Sequence, residues 1–144
     1  MTGSADPARQ TGGSDASPGP GLHAAAFLVV LLTPALAWVI WVFAPGQTQS
    51  DGAHIGWFIT VASGCVLAGW LARPRGRRFA ALWAVAVVAT LVTLYLWWST
   101  ADVTGLFVIG IALAVLPVVC AAPVLLGIGS RLGRTGRSPS AAVR

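Results

Sequence analysis

HIGWFITVASGCVLAGWLA at 54–72 runs directly into RPRGRR at 73–78. The first stretch carries no Asp, Glu, Lys or Arg. It is long enough, at 1.5 Å rise per residue, to cross a hydrocarbon layer about 30 Å thick. The second carries Arg73, Arg75, Arg77 and Arg78. An apolar run that stops at a cluster of arginines reads as a membrane span ending on the cytoplasmic side.

Three more runs of the same kind flank it, at about 23–44, 79–98 and 106–128. All nine basic residues are arginines, and they occupy alternate segments between the runs. Arg9 precedes the first, the 73–78 cluster separates the second and third, and Arg131, Arg134, Arg137 and Arg144 follow the fourth. The other two connections, at 45–53 and 99–105, contain none and hold Asp51 and Asp102 instead. This alternation predicts an all-α membrane protein, a four-transmembrane-helix antiparallel bundle with both ends in the cytoplasm. Connections this short leave room only for antiparallel neighbours. Residues 1–22, rich in Gly, Ser, Thr and Pro, predict a disordered cytoplasmic tail. Residues 129–144 predict a flexible basic tail, leaving 23–128 as the membrane domain. Ala35-Leu36-Ala37 after Pro34 resembles a signal cleavage site. The apolar run nevertheless continues through Phe43, and the nearest upstream charge is the distant Arg9, which favours a span.

Composition agrees. Of 144 residues, 56% are hydrophobic and 9% charged, too few charges to clothe a water-facing surface. The absence of lysine and glutamate, beside abundant Ala, Gly, Val and Arg, suits a GC-rich bacterial genome and a place in its cytoplasmic membrane. The formal charge of +5 does not call for nucleic acid, because clustered arginines at span ends suit an anionic leaflet. Aromatic residues give two belts. Trp41, Trp57, Trp97, Trp98 and Phe107 fall at the outer boundary, and Trp70, Phe79 and Trp83 at the inner.

No ionisable Asp, Glu, Lys or Arg lies inside a run, which argues against proton-coupled pumping and voltage sensing. Small four-helix multidrug exporters rely on a glutamate in their first helix, and this chain has none. Cys65 and Cys120 form no CxxC pair, and His23 and His54 fall at opposite faces, so neither thiol exchange nor haem binding is indicated. The expectation is a protein that is not an enzyme, with no catalytic residues, no cofactor and no metal site.

Small residues recur at helical spacing. Gly56, Thr60, Gly64 and Ala68 line the second run, Ala86, Ala89, Thr90 and Thr93 the third, and Gly110 and Ala114 the fourth. Such stripes let helices approach closely in lipid, where no hydrophobic force draws them together. They predict helix packing, within the bundle or against another membrane protein or copy. Arg73, Arg75, Arg77, Arg78, Arg131, Arg134 and Arg137 are the candidates for anionic lipid head groups. The functional expectation is a small structural or accessory membrane protein that packs against a membrane partner or itself. The alternative is a subunit of a homo-oligomeric transporter or channel for a small neutral or hydrophobic solute, with Thr60, Ser63, Thr90 and Thr93 lining the path.

Overall fold

A computed structural model of the chain describes residues 19–44, 50–102 and 104–135. Most of the predicted N-terminal tail, the 45–49 connection and residues 136–144 lie outside the described residues. Four α-helices account for nearly all the rest: α1 at Pro20–Trp38, α2 at Asp51–Ala72, α3 at Arg77–Ala101 and α4 at Phe107–Thr135. α1 continues as a π turn over Val39–Phe43. Each of the four is long and apolar enough to cross a membrane.

The helices begin where their residues can satisfy a helix start. Pro20 opens α1, its missing N–H costing nothing at that position. Ser50 caps α2, its hydroxyl oxygen accepting the Ala53 N–H at 3.1 Å, and Asp51 sits favourably in the first turn. Asp102 serves α4. Its Oδ2 accepts the Phe107 N–H at 2.6 Å, and its Oδ1 accepts the N–H and hydroxyl of Thr104 at 2.7 and 2.6 Å. α2 ends at Arg73, whose backbone is left-handed (φ 43°, ψ 50°), and Pro74 follows.

Most boundaries differ from the sequence reading, with α2 starting at Asp51 instead of 54 and α3 running from Arg77 to Ala101 instead of 79–98. α1 starts at Pro20 instead of 23, and α4 continues to Thr135 through residues expected to be a flexible tail. Arginine near a helix C-terminus complements the dipole there, so Arg131 and Arg134 do not stop the helix.

The packing runs from α1 to α2, α2 to α4, α4 to α3 and α3 back to α1, so α2 and α3 face across the group although only Arg73–Gly76 joins them. Along α1 and α2, Gly64 meets Thr33 and Gly56 meets Trp41. The core has two parts. Near the arginines it is built mainly from small residues: Ala26, Cys65, Ala68, Ala72 and Ala86, with Val30, Leu82 and Leu126. Toward the other end Trp57 and Trp97 dominate, with Ala37, Val42, Ala53, Val61 and Leu94. Elsewhere the surface is apolar, as Leu113 (72% exposed) and Leu116 (69%) show.

The π turn lets α1 serve both parts. A straight α-helix would carry Val42 about 160° round from Ala26. The wider turn, closed by the Ala44 N–H on the Val39 carbonyl at 2.9 Å, unwinds the chain by roughly one residue. Val42 is thereby fully buried.

Candidate interaction and lipid-facing sites

The α2 stripe faces α1. A Cβ added at Gly64 would lie 2.7 Å from Thr33 Cγ2, and one at Gly56 would lie 2.5 Å from the Trp41 ring. Thr60 donates its hydroxyl to the Gly56 carbonyl at 2.8 Å and accepts the Trp41 indole N–H at 3.0 Å. Ala68 is fully buried in the small-residue cluster. This face is therefore covered from within the chain. On α3, Ala86 and Thr90 are buried, while Ala89 and Thr93 are half-buried, with the Thr93 hydroxyl bonded to the Ala89 carbonyl at 2.9 Å. On α4, Gly110 lies under Trp98 and Ala114 packs at the edge of the tryptophan cluster.

The closest approach of two helices uses glycines outside those stripes. A Cβ at Gly69 would strike the Leu126 carbonyl oxygen, and one at Gly129 the Val66 carbonyl oxygen. At Gly133 it would lie 2.8 Å from the Trp70 carbonyl oxygen and 3.0 Å from Arg73 Nε. α2 and α4 thus meet backbone to backbone beside the arginines. The signal was present in the sequence as GSRLG at 129–133, two glycines at the four-residue spacing of close helix pairs. Arg131 between them placed the motif outside the expected span.

Besides Trp41, two more indoles act as interhelical donors, both to carbonyls. Trp57 gives its N–H to the Pro34 carbonyl at 2.9 Å in a buried setting. Trp83 gives its own to the Val119 carbonyl at 3.2 Å. Val119 is four residues before Pro123, so this carbonyl has no helical N–H to accept, and α3 supplies one. The belt reading needs correction here: Trp57 and Trp97 are buried against each other, ring centroids 6.0 Å apart, and do not lie on the outer surface. Trp41 and Trp70 are exposed. His54 stacks on Trp97 at 4.4 Å, and its Nδ1 lies 3.0 Å from the Ser50 carbonyl.

Arg75, Arg77, Arg78, Arg131 and Arg134 are exposed, Arg73 is half-buried, and Arg137 lies outside the described residues. Arg78 donates to His23 Nε2 at 3.3 Å, while His23 Nδ1 faces the Gly19 carbonyl at 3.2 Å. Cys65 is buried, Cys120 exposed, and both are free thiols although α2 and α4 touch. Among the described residues no group of three His, Cys, Asp or Glu side chains could hold a metal ion.

The Asp102 carboxyl is held below its ordinary value, first by the Thr104 hydroxyl and the Thr104 N–H, with smaller help from the Phe107 and Gly105 amides against desolvation. A depressed folded-state value means that the cap stabilises fully above the ordinary carboxylate range and is lost as pH falls through the folded value. Melting followed from neutral to acidic pH should therefore show an acid limb that Asp102→Asn flattens. An unchanged limb in the variant would remove Asp102 as its source.

Comparison with protein-family models, with curated proteins and with solved structures finds no match for this chain.

Proposed function

We propose that the chain is a small accessory membrane protein that packs against a larger membrane partner or another copy of itself. It would form a four-span antiparallel bundle with both termini in the cytoplasm, in a bacterial cytoplasmic membrane. The observation that carries this reading is the first half of α4. Val108, Ile109, Leu113 and Leu116 are each more than half exposed there, and the backbone-to-backbone approach to α2 lies near the other end of the helix. The absence of Asp, Glu, Lys and Arg from the apolar runs supports an interaction role over coupled transport or catalysis. The alternating arginines support the orientation, and the arginine-bearing ends support contact with anionic head groups. The transporter alternative needs free hydroxyls along a path. Thr60, Ser63 and Thr93 each donate theirs to a carbonyl of the same helix.

The experiment is purification of the tagged chain in mild detergent with identification of what accompanies it. A stoichiometric membrane protein, or a defined oligomer without solute flux in vesicles, is expected. A discrete oligomer that passes neutral solutes would overturn the reading in favour of the alternative. In the same cells, Asp51→Cys and Arg75→Cys should label from opposite faces of the membrane. Labelling from one face would reject the orientation.

A further inference from the structure

Arg73 differs from the other described arginines. Its Nε is buried and has no hydrogen-bond partner. Among the described residues no hydrogen bond reaches its two Nη nitrogens, and the side chain as a whole is half-buried. The side chain lies over Gly133, where a Cβ would come within 3.0 Å of Nε. The inner nitrogen is therefore lodged against α4 at Gly133, where a side chain would crowd it and the Trp70 carbonyl, while the rest of the half-buried side chain is in part open to solvent. A fork fixed in this way presents two parallel N–H donors at low entropic cost, the geometry that suits an oxyanion held bidentately.

The surroundings are positive. Arg75 lies on the same turn, Arg77 and Arg78 open α3 directly after it, and the Gly133 contact brings the end of α4, with Arg131 and Arg134, beside it. Arg77 and Arg78 stand in the first turn of α3, which has no side-chain cap and no acidic residue, so their charge adds to the positive end of the helix dipole. The acids among the described residues, Asp51 and Asp102, sit at the starts of α2 and α4, the far ends from this turn. No carboxylate near the turn offsets this charge among the described residues. A Cβ at Gly76 would meet nothing within 4 Å, so the turn is open to approach.

We infer that the Arg73–Gly76 turn, braced by Gly133, is a discrete binding site for one phosphate group, with the Arg73 guanidinium as its anchoring fork. The ligand chemistry is a phosphate oxyanion, carried by an anionic membrane lipid. This rests on the membrane reading above and sharpens its general attraction to head groups into one saturable site.

The test uses the full chain in detergent, titrated with phosphatidylglycerol, with phosphatidylcholine, and separately with inorganic phosphate, the bound species being counted by native mass spectrometry. The wild type should hold phosphatidylglycerol saturably and prefer it to phosphatidylcholine. Competition by inorganic phosphate would show that the phosphate alone is recognised. Tight lipid binding without competition would show that the lipid is required. Arg73→Lys keeps the charge and removes the fork, and should weaken binding on the order of tenfold. Arg75→Gln removes a whole charge and should weaken it less. Equal losses in the two variants, or none in Arg73→Lys, would overturn the site and leave only diffuse charge. A second readout needs no variant: phosphatidylglycerol should shield Arg73 from phenylglyoxal more than it shields Arg75, and equal shielding also overturns the site. Loss of lipid binding with partner recovery intact rejects this inference alone. The reverse result rejects the accessory role alone.

Discussion

Gly129→Leu is expected to destabilise the protein by about 3 kcal/mol or more, at or beyond the upper end of the usual cost of overpacking. Its first side-chain carbon would fall on the Val66 carbonyl oxygen and within 3.0 Å of the Trp70 backbone nitrogen. A flexible side chain can swing away from such a clash, but helix backbone cannot. α2 and α4 would have to part, exposing Ala68, Ala72 and Leu126 around the crossing. Gly127→Leu is the matched control. It adds the same bulk two residues earlier, where a Cβ meets nothing within 4 Å. Its effect should stay within about 0.5 kcal/mol. Melting of both variants in one detergent decides the matter: equal midpoints would mean that the α2–α4 crossing is not tight.

The second large effect belongs to Trp57. It is fully buried, packed edge-on to Trp97 and Phe58, and its indole N–H is bonded to the Pro34 carbonyl. Trp57→Ala should cost about 3–5 kcal/mol through the cavity it leaves. Trp57→Phe keeps most of the volume and removes one hydrogen bond to a carbonyl that keeps its helical partner, so a loss of about 0.5–1.5 kcal/mol is expected. Chemical or thermal unfolding, followed by circular dichroism so that loss of the fluorophore does not confuse the readout, checks both. A Phe variant as stable as the wild type would show that the bond to Pro34 contributes nothing.

The four helices were legible because lipid imposes a simple requirement: uncharged runs of a minimum length, punctuated by charge. Their ends were less so. Arg131 and Arg134 were read as the mark of a finished span, yet a helix leaving hydrocarbon keeps its own backbone bonds and welcomes positive charge at its C-terminus. That misplacement hid Gly129 and Gly133. The stripe of Gly56 and Gly64 was visible in the spacing, but spacing does not say which neighbour a stripe meets, and Thr33 and Trp41 could not be named in advance. The tryptophans teach the same point from another side. Position along a run sets the depth of Trp57 and Trp97. Whether a ring turns outward or inward depends on rotation about the helix axis, which the partners decide. The π turn had no residue signature of its own. Pro34, one turn before it, was the nearest hint.

That turn means the two ends of α1 are clocked separately. The stretch from Ala26 to Ala37 keeps one phase, and Trp41 and Val42 keep another, joined by a loop holding one residue too many for a regular coil. Deleting a single residue at 39 or 40 would close the loop to a regular α-turn and leave everything beyond it in nearly its present phase. The same loop is therefore the place along α1 where one residue can be lost with little disturbance to either end, so natural variation in the length of this helix should accumulate there.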